Sequence, residues 1–379
     1  MLNNEFLREI TLIRRRLHQV PEIAFDLYKT HEIVKEYLLS YGYDIEVVAK
    51  TGIIAFKKGK EKGALAFRAD MDGLSVTEVN DVDYKSIHQG KMHACGHDGH
   101  MAILLGFAKY LSSVKKLNKD ILLIFQPAEE GPGGAKNIIE EGILKKYNVE
   151  GIFGIHIFPG LEQGKIGLAN GPLMAQSGEI DLTIRGKSAH GAQPHKGADA
   201  IVAASALVLD YQTILSRKID PLEPRVLTIG TINGGDVRNI IAGNVFLCGT
   251  IRTFSSETYD LIKEKIKQVN SGIENIYEVQ IDMEIRDFYP PVINDNRLFQ
   301  IVKSSLDPQR VEIVKPLMLA EDFSFYQQQV PGLFMLLGSK NEEKGFIHPL
   351  HNGAFNFDEE ILLLGVETYI KICQRMNVF

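Results

Sequence analysis

The sequence predicts an α/β protein in which a mixed sheet, covered by helices on both faces, is interrupted by a smaller inserted α+β unit. Three observations predict it. Short, continuously apolar runs alternate with helical patterns over residues 1–172, and the alternation resumes over 291–379. Strands that are apolar along their whole length belong to a sheet buried on both faces. Between these blocks, 173–290 reads in the order β-α-β-β-α-β, the split βαβ or ferredoxin-like arrangement, and Pro290-Pro291 punctuates the return. A chain of 379 residues exceeds one ordinary core, so two domains are expected: a discontinuous one of 1–172 with 291–379, and an inserted one of 173–290.

The elements follow in order. Leu7, Ile10, Ile13 (or Arg14) and Leu17 recur at helical spacing, which makes the N-terminal segment an amphipathic helix rather than a signal peptide. A helix at 28–41 precedes strands at 43–49, 52–57 and 64–69, the last running into polar Asp70 and Asp72. A helix at 100–113 leads to a buried strand at 121–125, which ends at Gln-Pro-Ala-Glu-Glu; a helix at 134–142 and a strand at 151–157 follow. The insert contains strand 178–185, helix 198–215, strands 225–232 and 245–253, helix 256–270 and strand 277–286. Helices at 295–305 and 322–328, a strand at 332–338 and a helix at 358–374 complete the chain.

Composition narrows the function classes. The chain is 45% hydrophobic and 24% charged, as soluble globular proteins are. A net charge of -6 offers no basic footprint for nucleic acid. No apolar run reaches the length of a membrane span. Cys95, Cys248 and Cys373 are too few and too scattered for a disulfide framework, which suits a reducing compartment. The expectation is a cytoplasmic protein with neither nucleic acid nor membrane as partner.

The strongest chemical signal is His-Ala-Cys-Gly-His-Asp-Gly-His at 93–100. Cysteine and histidine ligate zinc and related divalent ions, and Cys95-x-His97 puts two such side chains on one strand–helix junction. A Gly-rich turn with an incidental cysteine, or a cysteine nucleophile with a histidine base, would also fit this segment alone. Glu129-Glu130 stands at a buried strand's end, where open α/β sheets bind ligands. One carboxylate there can bind metal while the other serves as general base. His156, in an apolar strand, and His351, in His-Pro-Leu-His-Asn-Gly, would each be unremarkable alone. With Cys95, His97 and Glu130 they make a mixed S/N/O set too large for one tetrahedral ion, and large enough for two ions sharing a bridge such as a thiolate. In the insert, His190 and His195 of Ser-Ala-His-Gly-Ala-Gln-Pro-His (188–195) are candidates for substrate contact, with a plain surface role preferred for His195. Arg252 closes an apolar strand, where a guanidinium can grip a carboxylate in bidentate fashion. A structural ion pair is the more ordinary role for any one arginine.

These motifs resemble the dinuclear-metal amidohydrolases: aminoacylases, hippurate hydrolases, plant auxin-conjugate hydrolases, acetyl-diaminopimelate deacetylases and, more distantly, succinyl-diaminopimelate desuccinylases and glutamate carboxypeptidases. The resemblance runs from Arg-Arg-Arg-Leu-His-Gln-Val-Pro-Glu (14–22) through Arg-Ala-Asp-Met-Asp (68–72), the Cys-His run, Gln-Pro-Ala-Glu-Glu (126–130), Asn-Gly-Gly-Asp-Val-Arg-Asn (233–239) and Ala-Glu-Asp-Phe-Ser (320–324) to Leu-His-Asn (350–352). It implies a zinc-exopeptidase-like catalytic domain with an inserted lid and dimerisation domain. It implies Cys95, His97, Glu130, His156 and His351 as the ligands of two divalent ions (Zn, Mn, Co or Ni), with Cys95 as bridge. It implies Glu129 as general base and Asp70 as the carboxylate that orients a ligand histidine. His190 would reach a partner subunit's site, in a homodimer or higher homo-oligomer, and stabilise the oxyanion there. Asn239 and Arg252 would help to hold the substrate. Two positions depart from the family: Asp-Gly-Leu-Ser at 72–75, where Asp-Ala-Leu-Pro is common, and Ala242, where proline is common.

The activity this implies is metal-dependent hydrolysis of the amide bond of N-acyl amino acids. A dedicated N-acetyl-diaminopimelate deacetylase and a small-peptide carboxypeptidase are the alternatives within the class. A cysteine amidase using Cys95 and a non-catalytic binding protein are those outside it.

Overall fold

The computed structural model describes every residue except Met1 and Pro132; Pro132, part of the Gly-rich turn after Glu130, lies outside the described residues. Two compact units are present: Met1–Leu173 with Ile293–Lys315 and Asp322–Phe379, and Met174–Val292 with Pro316–Glu321.

The first unit begins with α1 (Asn4–His18), whose N-terminus is capped by the Asn3 side chain accepting the Phe6 N–H at 2.9 Å, and whose apolar stripe Phe6, Ile10, Ile13 and Leu17 is buried. Then come α2 (Tyr28–Ser40), β1 (Ile45–Val48), β2 (Gly52–Lys57), β3 (Glu61–Asp70), α3 (His97–Ser113), β4 (Lys119–Gln126), α4 (Gly134–Glu140), α5 (Ile143–Lys146), β5 (Val149–Glu162), β6 (Ile166–Leu168) and β7 (Gly171–Met174). The helix expected over 134–142 is α4, which ends at Glu140, and after Gly142, which adopts φ 77°, a further short helix, α5, follows. The helix expected from residue 100 starts at His97, so the Cys-His run forms its N-terminus.

The second unit holds β8 (Gln176–Arg185), α6 (Ala200–Arg217), β9 (Arg225–Gly234), β10 (Asn244–Thr253), α7 (Ser256–Tyr277) and β11 (Gln280–Asp287). Its four-stranded antiparallel sheet has the order β11-β8-β10-β9, the ferredoxin-like topology. Ile180, Leu182, Leu247 and Ile251 of the sheet form one core with Ala203, Leu207, Ile262 and Ile266 of the two helices.

The chain returns through β12 (Val292–Asn294), then α8 (Asn296–Ser305), β13 (Val311–Ile313), α9 (Ser324–Gln327), β14 (Gly332–Lys340) and α10 (Ile361–Arg375). The first unit's eight-stranded sheet has the order β1-β2-β4-β3-β5-β14-β6-β13. It is parallel through β4, β3, β5 and β14 and antiparallel at β1–β2, β2–β4 and β14–β6. Its central strands are buried over most of their length. Among the described residues, no helix is long and apolar enough to cross a membrane.

Candidate metal centre

The site grows from the carboxyl ends of the central strands. Asp70, last in β3, is the register partner of Gln126, last in β4. Arg68 is level with Gly154 of β5, so His156, two residues on, stands level with Asp70. Such strand ends are where open α/β sheets take ligands.

Three left-handed backbone positions aim the side chains. Gly96 (φ 85°) turns the chain into α3 directly before His97; Ala128 (φ 59°) stands before Glu129-Glu130; His351 itself has φ 63°. The Ala128 carbonyl accepts the N–H groups of Gly133 and Gly134 at 3.1 and 3.0 Å, and the His351 N–H donates to the Ala94 carbonyl at 2.8 Å. Non-glycine residues in sparsely populated backbone regions cost of order 1–3 kcal/mol each and persist only where the surroundings over-determine them.

The expected residues of this unit converge. Donor atoms of Cys95, His97 and His156 lie within 4.8 Å of one another, as do those of Cys95, Glu130 and His351, and those of His97, Glu129 and Glu130. Cys95 thus belongs to two donor groups. His156 donates from Nδ1 to the Ile157 carbonyl at 2.7 Å, which leaves Nε2 as an acceptor hydrogen-bonded to the Cys95 sulfur at 3.5 Å. His351 Nε2 lies 3.2 Å from Glu130 Oε1, without hydrogen-bond alignment. His97 is fully buried, yet neither ring nitrogen has a hydrogen-bond partner, and Glu130 Oε1 has none either. A buried polar atom without a partner costs about 1–3 kcal/mol. Orphaned nitrogen and oxygen atoms beside a buried thiol are the donor chemistry that a divalent cation satisfies, so the residues present fit such an ion.

Two carboxylates organise the donors. Asp70 accepts His100 Nδ1 at 2.6 Å and Arg68 at 2.7 Å, and stands 3.8 Å from His97 Nε2. His100 Nε2 accepts the Ile157 N–H at 2.8 Å, so both its nitrogens are engaged. The histidine that Asp70 holds is therefore one outside the expected ligand set. Asp72, to which the sequence reading assigned no role, accepts the N–H groups of Glu129 and Glu130. The signal for it was the Asp-x-Asp spacing at the end of a buried strand. Beneath lies a buried network that also escaped the sequence reading. Arg68 donates to Asp322 at 2.7 Å and to Gln126 at 2.9 Å, Gln126 donates to Asp322, and Tyr326 donates to Gln126 at 3.0 Å.

The electrostatics are those of a centre short of positive charge. Burial pushes the His97 imidazole down, but Asp70, Asp72 and Glu130 override it and raise its pKa to about 10. Burial, with Glu130 and Glu129 alongside, pushes the Cys95 thiol well above its usual range. Burial and the neighbouring His100 bring His156 down to about 3. Burial opposes ionisation of Glu130, but His351 and His97 hold it below its ordinary value.

The remaining expected residues lie in the second unit. His190 is exposed, its Nδ1 accepting the Ala192 N–H at 3.1 Å. It forms a backbone bridge with Ile240, and the Gly191 N–H donates to the Asn239 carbonyl at 2.7 Å. His190 and Asn239 are thus neighbours. Arg252 pairs with Ser177 at the far end of β10, about 25 Å along the strand from Asn244 at 3.2–3.4 Å per residue. Its guanidinium donates to the carbonyls of Gly178 and Ile251 at 3.3 and 2.9 Å. His195 is exposed in the short turn Pro194–Lys196.

Overlapping sulfur, nitrogen and oxygen donors at the strand ends of an α/β sheet, with a carboxylate pair beside them, define a metal-dependent hydrolase. The family model for peptidase family M20/M25/M40 matches residues 66–375. The chain is 37% identical over 382 residues to an IAA-amino acid hydrolase of Arabidopsis thaliana, covering 98% of this chain and 86% of that protein. It is 36% identical over 374 residues to the N-acetyldiaminopimelate deacetylase of Listeria innocua serovar 6a, covering 97% and 99%. The solved YXEP protein of Bacillus subtilis, described as a dinuclear metal binding peptidase, matches with a TM-score of 0.87 at 30% identity over 99% of each chain. The chain belongs to peptidase family M20/M25/M40 and is a metal-dependent amidohydrolase that uses divalent metal.

Proposed function

We propose that this protein hydrolyses the amide bond of N-acyl amino acids at the centre around Cys95. The observation that carries the reading is the sharing of Cys95 between two donor groups, with Glu129 adjoining. Cys95, His97, Glu130, His156 and His351 would hold two divalent ions, Cys95 being the donor that both groups share. Zinc, manganese, cobalt and nickel all suit this donor set. Ions bound there supply Lewis-acid charge, which acidifies a water and stabilises negative charge on the carbonyl oxygen.

Glu129, its backbone pinned by Asp72, takes the proton of the attacking water and delivers it to the departing nitrogen. Asp70 fixes His100 and, through Arg68, the strand end beneath the donors. His190 stabilises the oxyanion in the site of a second copy. Because His190 with Asn239 and Arg252 stand at opposite ends of one sheet, a single substrate meets all three only when two copies contribute. The guanidinium of Arg252 would then take the substrate carboxylate. A homodimer is supported by the edge position of β9 and by exposed Ile201, Val202 and Leu209 on α6 with Ile232 on β9; an open edge beside exposed apolar side chains invites pairing. The second unit serves as lid and dimerisation domain, and the enzyme works in the cytoplasm on a small-molecule substrate.

A cysteine nucleophile has less support: burial, with Glu130 and Glu129 alongside, pushes the Cys95 thiol well above its usual range, whereas reactive cysteines sit in electropositive surroundings. The deacetylase relative makes N-acetyl-diaminopimelate a natural member of the substrate panel. Acetyl-methionine, hippurate and N-acetyl-diaminopimelate are offered to chelated and metal-reconstituted enzyme. Activity that disappears with chelator and returns with a divalent ion supports the proposal and ranks the substrates. Activity that survives chelation would transfer the chemistry to Cys95.

A further inference from the structure

α1 supplies none of the candidate ligands, yet it carries two fully buried cationic side chains, Arg14 and His18. Both bind one oxygen of Asp98, the residue after His97 in the first turn of α3: Arg14 Nε at 2.7 Å and His18 Nδ1 at 2.8 Å. The other ring nitrogen of His18 lies 3.1 Å from the Glu78 carboxylate. Both nitrogens face carboxylate oxygens, the arrangement that favours an imidazolium, with Arg14 Nη2 also 3.5 Å from Nδ1. Glu78 in turn accepts the Ser86 N–H at 2.7 Å.

The outer nitrogens of Arg14 reach the opposite side. They donate to Asn356 at 3.0 Å and Glu359 at 3.2 Å, in the stretch between His351 and α10. The guanidinium lies against the rings of Tyr84 and Phe357, 4.9 and 4.5 Å from their centroids. Arg15 holds the same Glu359 at 2.6 Å.

Burying charges carries a large desolvation cost, and well-packed apolar residues of similar volume often serve stability as well or better. A balanced ion network at this depth is therefore better explained by the geometry it specifies than by the stability it adds. We infer that Arg14 and His18 are positioning residues for the metal centre. They clamp the α3 N-terminus that presents His97 to the segment that presents His351, so that the donors meet at ligating distance. The inference rests on the metal-centre reading proposed above.

The test titrates cobalt(II) into metal-stripped wild type, Arg14→Lys, His18→Gln and Asn356→Ala, following the thiolate-to-cobalt absorption band, with circular dichroism and thermal melting as controls for folding. Lysine keeps the charge of Arg14 but lacks the fork that spans Asp98, Asn356 and Glu359. The expected result is folded variants whose cobalt affinity is about 10–100-fold weaker, with altered band positions and, at saturating metal, a lower kcat at little-changed KM. Folded variants that titrate and absorb as wild type does would overturn the inference, even if their turnover fell. Should the two α1 variants fail to fold, Asn356→Ala, at the partly exposed end of the clamp, decides by the same criterion. Wild type that takes up no cobalt would overturn the metal-centre reading itself.

Discussion

The carboxylate of Asp72 accepts the backbone N–H of Glu129 at 3.1 Å through one oxygen, and the other oxygen accepts that of Glu130 at 3.0 Å. One side chain therefore sets the backbone of both glutamates, although it follows a different strand. Asp72→Asn replaces one acceptor by a donor that faces an N–H. The expected loss is about 10–100-fold in kcat/KM, with the fold retained. Steady-state kinetics beside circular dichroism will measure it, and unchanged kinetics would remove Asp72 from the positioning machinery.

The two glutamates are expected to separate on substitution. Glu129→Gln should keep its metal content and lose about a hundred- to ten-thousandfold in turnover, the usual worth of a general base. Glu130→Gln should lose metal first. Elemental analysis of dialysed proteins, paired with kcat, distinguishes them. A Glu129→Gln enzyme of normal turnover with metal bound would refute the assignment of the base.

Metal uptake should release protons. In the metal-free protein burial opposes the charge on His97 but Asp70, Asp72 and Glu130 lift it to about 10, and burial, with Glu130 and Glu129 alongside, holds the Cys95 thiol well above its usual range, so both are protonated at neutral pH, and ligation requires both to be deprotonated. Apparent affinity should therefore rise with pH between about 6 and 9, with about two protons leaving per centre filled. Calorimetry in buffers of different ionisation enthalpy reads this directly. A heat independent of buffer would contradict it.

Stability should fall on both sides of neutrality. His18 is raised above its ordinary 6.5: burial opposes its charge, but Asp98 and the hydrogen bonds to Asp98 and Glu78 prevail. Its contribution is complete below that unfolded value and is lost as pH climbs through the raised one. Burial opposes the ionisation of both carboxylates, but Arg14 and His18 hold Asp98, and His18 with the Ser86 N–H holds Glu78, below their ordinary values. Their contributions are complete above the unfolded carboxylate range and are lost on acidification. Urea unfolding across pH should show both limbs, and His18→Gln should flatten the alkaline one; a variant that keeps it would assign that limb elsewhere.

Gly134→Ala tests the turn behind the glutamates. An added Cβ would stand 1.9 Å from the Pro127 carbonyl oxygen, a backbone atom that cannot swing aside, and the next N–H, of Ala135, donates to Asp322 at 3.0 Å. A loss of about 1–3 kcal/mol is expected, read from the urea midpoint. A midpoint within error of wild type would show that the turn relaxes freely.

The central architecture was legible because buried parallel strands announce themselves as unbroken apolar runs, as Ile121–Phe125 does. What escaped has physical causes. α3 begins three residues before its apolar periodicity because its entry is a left-handed glycine, Gly96, rather than a Ser, Thr, Asp or Asn cap. β6 and β13, three residues each, are too short to carry a period. Arg14 occupies a core-facing position of an amphipathic helix, where periodicity alone leaves it interchangeable with Ile13; only the folded chain reveals Asp98 as its partner. The donors around Cys95 were readable as residue types, whereas the partners of Asp70 and Asp72 depend on which strand ends become neighbours.

The hydrogen bond from the His351 N–H to the Ala94 carbonyl joins segments made far apart in time on the ribosome. Until the later one emerges, the donor group that Cys95 forms with Glu130 and His351 lacks its histidine, although the group it forms with His97 and His156 is already present in the chain. The nascent chain therefore carries a partial donor set before it carries the complete one. The complete donor set exists only after the segment that carries His351 has folded back onto Ala94.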